Sequence, residues 1–134
     1  MLLVVDGFNV LHAGVLRGRD RAGWRGAAAR RRLVERVEGL AVAVYQHIWI
    51  VFDGPPGGRA VESRDARIRI VTAPSADDWI VEQVQELASG RPVTVVTSDR
   101  GLRQRVQEAG GATRSPRWLL AACPVRGAPP RDVG

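Results

Sequence analysis

Three aspartates stand at or just after the ends of apolar segments, where α/β proteins often carry functional carboxylates: Asp6, Asp53 and Asp99. Parallel strands that alternate with helices end at one edge of their sheet, and open α/β sheets bind their ligands outside that edge. We therefore expect these carboxylates to be neighbours. Gly7 would allow the backbone to turn there, and Asn9 would add an amide beside Asp6.

Two more aspartates, Asp77 and Asp78, follow Ser75, which has the residue type and position of a helix cap. The first turn of that helix is expected at the same sheet edge. Like charges this close repel one another and raise one another's pKa unless a cation lies between them. Oxygen donors without clustered Cys or His favour Mg²⁺ or Mn²⁺ over zinc. The predicted metal ligands are Asp6, Asp53, Asp77, Asp78 and Asp99.

Each acid also has a purely structural interpretation. Asp6 and Asp53 are of a residue type that commonly forms turns, and Asp99 suits the cap of the helix that follows it. Asp77 and Asp78 would each stabilise a helix amino terminus by about 0.3 to 1 kcal/mol. For each acid taken alone, the structural interpretation is supported at least as well as a role in metal binding. Jointly, they require all these acids to gather at one sheet edge by accident.

Strands and helices alternate along the chain. This pattern predicts an α/β fold, a three-layer sandwich with a mostly parallel sheet and helices on both faces. The strand at 68–72 is expected near a sheet edge because Arg69 interrupts its apolar pattern. The predicted strands are 2–5, 47–52, 68–72, 93–97 and 112–114, the predicted helices are 24–45, 76–89, 100–109 and from 116 onward, and mobile loops are predicted at 12–23 and 54–67.

At 134 residues the chain fits one domain, predicted at 1–123 and followed by a disordered tail at 124–134. No apolar run approaches the roughly 18 to 20 residues that span a bilayer, and no basic region precedes the first apolar stretch. A cytoplasmic location is therefore expected. Cys123 has no second cysteine to pair with and is expected to be a small packing residue.

The charge balance is basic, with 20 Lys+Arg against 14 Asp+Glu and a net charge of +6, and every basic residue is an arginine. The absence of lysine excludes Schiff-base catalysis and the phosphate-binding loop that ends in Gly-Lys-Ser/Thr. A basic domain favours a polyanionic partner, with a merely solvated surface as the alternative. The arginines predicted to contact a nucleic acid backbone are Arg17, Arg19, Arg21, Arg30, Arg31, Arg32, Arg100 and Arg103. Among the tryptophans, Trp79 is expected beside the acids, where it could stack on a base.

Four motifs, taken in order and spacing, resemble the NYN domain and in particular its bacterial YacP-like branch. They are Val-Val-Asp-Gly-Phe-Asn-Val-Leu from Val4, Val-Phe-Asp-Gly from Val51, Ser-Ala-Asp-Asp-Trp-Ile from Ser75 and Val-Val-Thr-Ser-Asp from Val95. The resemblance covers residues 2–120, and the motifs are specific together although none is specific alone. It implies membership of the PIN-like nuclease superfamily, a sheet in the order 3-2-1-4-5 and a ribonuclease that depends on Mg²⁺ or Mn²⁺.

The resemblance also implies roles for individual residues. Asp53 matches a strand-end acid of this branch. NYN and PIN nucleases often carry a further acid one turn after the position of Asp99, where this chain has Arg103, so the number of metal ions stays open. The residues in the family's catalytic and metal-binding places are Asp6, Asn9, Asp77, Asp78 and Asp99.

Together these features predict an endonuclease that hydrolyses phosphodiester bonds of single-stranded RNA. The metal would be held by Asp6, by Asp77 or Asp78, and by Asp99. A non-catalytic RNA-binding module of the same fold is the alternative. The sequence leaves open the oligomeric state and whether the ribosome or ribosome-associated RNA is a partner.

Overall fold

The computed structural model describes residues 1–16, 18–24, 26–55 and 61–124, with the backbone alone at residues 19–21. Several sequence predictions therefore lie outside the described residues. They are the phosphate contacts of Arg17, Arg19 and Arg21, the middle of the predicted loop 54–67, and the disordered tail beyond residue 124.

A parallel sheet of five strands forms the centre of the domain, in the order β3-β2-β1-β4-β5. The sequence prediction of an α/β fold with this strand order is thus confirmed. The strands are β1 (Leu2–Asp6), β2 (His47–Asp53), β3 (Ile68–Ala73), β4 (Val93–Val96) and β5 (Ala112–Arg114).

The middle strand, β1, is buried along its whole length because apolar side chains cover both sheet faces. Leu3 and Val5 belong to one hydrophobic cluster, whereas Leu2 and Val4 belong to the other. Side chains alternate between faces along a strand, so a continuous apolar run is what a doubly covered strand requires. Asp6 follows this run at the carboxyl edge of the sheet.

Helices cover the two faces in pairs. Helices α2 (Ala27–Glu38) and α5 (Pro116–Ala122) pack with Leu3 and Val5, and Cys123 is buried in the same cluster. Helices α3 (Ala76–Leu87) and α4 (Arg100–Glu108) pack on the opposite face. A short helix, α1 (Gly7–Val10), follows β1 directly. Within the described ranges, no helix is both long and apolar enough to cross a membrane.

The segment after β1 was predicted to be a loop from residue 12, and this prediction is wrong. A π-helical turn at Leu11–Val15 continues α1, and a 3-10 helix follows at Gly18–Gly23. Glycines and arginines suggested a solvated connection, but Leu11, Val15 and Leu16 are buried in the core. Their burial stabilises helical backbone that the local composition does not favour.

Helix α2 is shorter than the predicted helix 24–45, because it ends at Glu38. The later apolar residues that continue its periodicity, such as Leu40, are buried from an irregular segment instead. Arg67 satisfies backbone carbonyls near this helix end, donating to Leu40 O at 2.9 Å and to Glu38 O at 3.3 Å. The hydrogen bonds from Arg67, which is distant in sequence, thus take the place of those that further turns of the predicted helix would have made.

Gly7 is needed for close packing and not for a turn, because it lies in α1 and its φ is not positive. A Cβ atom built on Gly7 would lie 2.5 Å and 2.6 Å from ring carbons of Phe52 and 2.9 Å from the carbonyl oxygen of Val51. The absence of a side chain lets α1 lie directly against β2. This contact brings Asn9 to the sheet edge.

We therefore expect Gly7→Ala to lower the free energy of unfolding by about 1 to 3 kcal/mol, because the methyl group overpacks α1 against β2. Urea unfolding followed by circular dichroism measures the change. Gly23→Ala is the matched control, since nothing lies within 4 Å of a Cβ at Gly23. Equal stability of the two variants would contradict the close-packing role.

Candidate active site

The acids meet at the carboxyl edge of the sheet, on the face covered by α3 and α4. Val4, Val51 and Val95 point to this face. Residues two positions further along each strand point the same way, so Asp6, Asp53 and Thr97 share this face at the strand ends. Thr97 follows β4 at the level of Asp6, whereas Asp53 lies two residues beyond Val51, the partner of Asp6 in β2. Asp77 lies in the first turn of α3 and Asp99 caps α4, so two helix amino termini border the same edge.

Asp6 is the most buried of these acids, with 6% of its surface exposed. One of its carboxylate oxygens accepts a hydrogen bond of 2.9 Å from the hydroxyl of Thr97. Burial raises the pKa of Asp6 to about 7, against the lowering effect of the Thr97 hydrogen bond, and the carboxylates of Asp77, Asp53 and Asp99 raise it further. Asp6 is thus a buried acid whose charged form is disfavoured in the absence of a nearby positive charge.

Thr97 is the site residue that the sequence reasoning missed. Its side chain is fully buried, and its hydroxyl both donates to Asp6 and accepts a 3.1 Å hydrogen bond from the backbone N–H of Asp99. One hydroxyl therefore fixes the positions of two acids on different elements. The available signal was the alternation along β4, which, continued one residue past the strand, puts the polar Thr97 on the same face as Asp6 once the strands are paired.

Asn9 connects α1 with the segment between β4 and α4. Its side-chain oxygen accepts hydrogen bonds from Ser98, at 2.8 Å from the backbone N–H and at 3.0 Å from the hydroxyl. The oxygen of Asn9 is therefore engaged within the protein. The amide nitrogen is the part of Asn9 that remains for a ligand.

Asp53 contacts the start of α3. Its Oδ1 accepts a hydrogen bond of 2.9 Å from the backbone N–H of Ala76, the first residue of that helix. Ser75 accepts a second hydrogen bond, of 3.3 Å, from the N–H of Asp78. The amino terminus of α3 is thus held by a strand-end carboxylate in addition to its local cap.

The neighbouring acids Asp77 and Asp78 have different surroundings. Burial raises the pKa of Asp77, and the carboxylates of Asp99 and Asp53 raise it further, so Asp77 belongs to the acidic group. Asp78 is exposed and forms a salt bridge of 2.9 Å with Arg105. That hydrogen-bonded guanidinium lowers the pKa of Asp78. The structure therefore separates two acids that the sequence could not distinguish.

The donor chemistry of this edge fits a hard divalent cation, because neighbouring carboxylates contribute to the raised pKa values of Asp6 and Asp77 and a positive charge relieves that repulsion. No three Asp, Glu, His or Cys side chains of the described residues converge closely enough to enclose a metal ion. Oxygens of Asp6, Asp53 and Asp99 accept hydrogen bonds from Thr97, Ala76 and Leu102 instead. The residues are therefore neighbours of the right type whose side chains must reorient to bind a cation together.

The predicted RNA-contacting arginines are dispersed. Arg100 is exposed in the first turn of α4, beside Asp99. Arg103 donates to the hydroxyl of Thr113 at 3.3 Å, and Arg32 donates to the carbonyl of Val15 at the same distance.

The other two predicted arginines of α2 lie apart from each other. The guanidinium carbon of Arg30 lies 6.0 Å from the centre of the Phe52 ring. Arg31 lines a separate polar cleft of about 710 Å³ together with residues 62–65. Trp79, considered for base stacking, packs against Trp49 with ring centres 5.7 Å apart.

A five-stranded parallel sheet in the order 3-2-1-4-5, with acids from strand ends and helix starts at its carboxyl edge, defines an α/β domain of the PIN-like, nuclease-like class. The sequence model of the YacP-like NYN domain matches residues 3–124, and the chain belongs to this family.

Solved structures have the same fold. The crystal structure of Rae1 (YacP) from Bacillus subtilis is similar with a TM-score of 0.62 and 20% sequence identity. A point mutant of that protein gives a TM-score of 0.68 and 21% identity. Each similarity covers 90% of this chain and 72% of the other. A comparison with curated proteins gave no match.

The buried position of Asp6 leads to a pH-dependent prediction. The pKa of Asp6 is raised from 3.8 to about 7 in the folded protein, so Asp6 ionises less readily there than in the unfolded chain. Ionisation of Asp6 therefore lowers the free energy of unfolding. This cost is absent below about pH 4, grows as the pH rises and is complete above about pH 7. Without divalent cations, Asp6→Asn should therefore be more stable than the wild type at pH 8, by on the order of a few kcal/mol.

Urea unfolding in EDTA at pH 4.5 and at pH 8 measures this difference, because pH 4.5 lies near the lower end of the window that begins at 3.8 and pH 8 lies above its end at about 7. At the lower pH the advantage of Asp6→Asn should fall to roughly a quarter of its value at pH 8. Asp78→Asn is the control, since Asp78 is exposed and has a lowered pKa. An advantage of Asp6→Asn that is the same at both pH values would contradict the raised pKa.

Proposed function

We propose that this protein is a Mg²⁺- or Mn²⁺-dependent endoribonuclease that hydrolyses phosphodiester bonds of single-stranded RNA. The observation that carries the proposal is the buried carboxylate of Asp6, surrounded at the sheet edge by the charges of Asp77, Asp53 and Asp99. Such a concentration of like charge costs stability, and it is typical of sites whose function requires a cation. Membership of the nuclease-like YacP-like NYN family supports the same reaction class.

Asp6, Asp77 and Asp99 would hold the metal ion. A bound divalent cation acidifies a water molecule and neutralises charge that develops on the phosphate. Thr97 would keep Asp6 and Asp99 in place, because its hydroxyl contacts both residues. The amide nitrogen of Asn9 would donate to a phosphate oxygen.

Single-stranded RNA is the proposed substrate because a flexible strand can bend its backbone into an edge bordered by two helix starts. Arg100 would contact that backbone beside the acids, as it is exposed next to Asp99. A cytoplasmic location, a ribosomal partner and the domain boundary at residue 123 stay predictions from the sequence.

The two acids of α3 provide the sharpest test of this function. Cleavage of a fluorescent single-stranded RNA should require Mn²⁺ or Mg²⁺ and should fall by about a hundredfold or more in Asp77→Asn. Asp78→Asn should cleave nearly as fast as the wild type, because Asp78 is exposed and its carboxylate is paired with Arg105. By mass action, Mn²⁺ should also raise the melting temperature of the wild type. The increase should be smaller for Asp77→Asn.

Arg105→Gln is the matched control for Asp78→Asn, since both changes break the same salt bridge. If Asp78→Asn loses much more activity than Arg105→Gln, Asp78 acts on the reaction directly. RNA binding without cleavage, unchanged by metal and by Asp6→Asn, would instead establish a non-catalytic RNA-binding module and overturn the proposal.

We further propose that Asp53 acts as a positioning residue for Asp77. The support is its contact with the N–H of Ala76, the residue directly before Asp77. A carboxylate that accepts a helix N–H fixes the first turn of that helix. The role of metal ligand, predicted from the sequence, is the alternative for the same carboxylate.

Asp53→Asn keeps an oxygen that can accept from Ala76, whereas Asp53→Ala removes it. A positioning role predicts that Asp53→Ala loses activity and about 0.5 to 2 kcal/mol of stability, while Asp53→Asn retains most of both. Cleavage rates and urea unfolding of both variants measure this split. Ser75→Ala, which removes only the local cap, reports how far fraying of α3 alone slows cleavage. Equal loss of activity in both Asp53 variants would favour the metal-ligand role.

A further inference from the structure

An arginine that the sequence analysis did not select stands at the same sheet edge as the acids. Arg114 is the last residue of β5, and its side chain is exposed. Its backbone carbonyl accepts a hydrogen bond of 3.1 Å from the N–H of Thr97. Arg114 is therefore joined through the backbone to the residue that holds Asp6.

The position of β5 sets the distance between Arg114 and the acids. β5 pairs with β4, which pairs with β1, so two strand spacings separate Arg114 from the end of β1. These spacings separate the two backbones by about 10 Å, and the side chains point to opposite faces of the sheet, with Arg114 toward α5 and Asp6 toward α3 and α4. A strand bound at both positions would therefore cross the carboxyl edge of the sheet. A short stretch of an extended single strand spans that distance, since single-strand binding sites extend over several nucleotides.

The guanidinium of Arg114 is held by an aromatic ring and not by an acid. The central carbon of the guanidinium lies 5.3 Å from the centre of the Trp118 ring. Within the described part of the chain, the guanidinium makes no hydrogen bond or ion pair. Trp118 is half-buried, and the ring of Tyr45 contacts it edge-on at 5.9 Å. The cation–π contact thus orders Arg114 while leaving its N–H donors available.

Two arginines of α4 differ in that respect. Arg103 donates to Thr113, and Arg105 is paired with Asp78. Successive residues of β5 face opposite sides, so Thr113 faces α4 and Arg114 faces α5. At this end of the sheet, Arg114 combines an exposed cation with an ordered position.

We propose that Arg114, supported by Trp118, forms a nucleotide-binding subsite for single-stranded RNA that flanks the cleaved bond. The N–H groups of the guanidinium would donate to a backbone phosphate, and its planar face would stack with a base. Trp118 holds the guanidinium in place from the protein side. This inference rests on the proposed ribonuclease function and specifies where the substrate strand extends beyond the acids.

The chain contains a matched control pair. Arg69 lies over Trp49 with a distance of 5.5 Å, nearly the same geometry as Arg114 over Trp118. Arg69 is on β3, at the opposite side of the sheet, and four residues before the strand end at Ala73. Four residues of strand correspond to about 13 Å from the carboxyl edge. Removing either arginine changes charge and ring contact equally, but only Arg114 lies at the proposed substrate path.

The experiment measures binding of a fluorescent, unstructured RNA of about ten nucleotides by anisotropy, in EDTA and at several salt concentrations. Arg114→Ala should bind about five- to tenfold more weakly, and its salt slope should decrease by about 0.7. Arg69→Ala should bind like the wild type. In Mn²⁺, Arg114→Ala should raise KM and leave kcat nearly unchanged, because the subsite lies away from the reacting bond.

A second variant tests the planar contact. Arg114→Lys keeps the charge but loses the flat guanidinium, so it should recover the salt slope without recovering the affinity. Wild-type affinity in Arg114→Ala or in Arg114→Lys, or an equal loss in Arg69→Ala, overturns the subsite while leaving the ribonuclease function intact. A wild-type protein that neither binds nor cleaves RNA overturns both.

Discussion

The hydrogen bond between Thr97 and Asp6 is the interaction on which the rest of the site depends. It joins the ends of two adjacent central strands, and the same hydroxyl receives the N–H of Asp99 at the start of α4. A carboxylate this buried is costly without partners. The fold supplies one partner and leaves the remaining charge uncompensated, which raises the pKa of Asp6 and makes the edge receptive to a cation.

Short contacts between elements set the geometry around that pair. Asp53 holds the first N–H of α3, and Asn9 holds the connection before α4 through Ser98. Gly7 lets α1 approach Phe52 closely enough for Asn9 to reach that connection. The candidate active site is thus assembled by polar contacts of strand ends with helix starts, and the apolar sheet beneath keeps those ends in register.

The arginines show why charge composition alone is a weak guide to function. Arg36 donates to the carbonyls of Cys123 and Leu120, and Arg67 joins Asp65 to carbonyls near the end of α2. Such arginines serve as structural connections between distant segments, in which a planar guanidinium reaches several acceptors at once. The net charge of +6 therefore overstates the cations that are available to RNA. Which arginines remain available is decided by neighbours from distant parts of the chain.

The sequence by itself determined the α/β alternation, the strand ends that carry Asp6 and Asp53, and the helix cap at Ser75, because periodicity and capping are local properties. The end of α2, the helical segment after β1 and the different surroundings of Asp77 and Asp78 were decided only by tertiary structure. Each depends on a partner far along the chain, such as Arg67 for α2 and Arg105 for Asp78. Thr97 became a site residue for the same reason: a buried threonine gains a role only when strand pairing places Asp6 beside it.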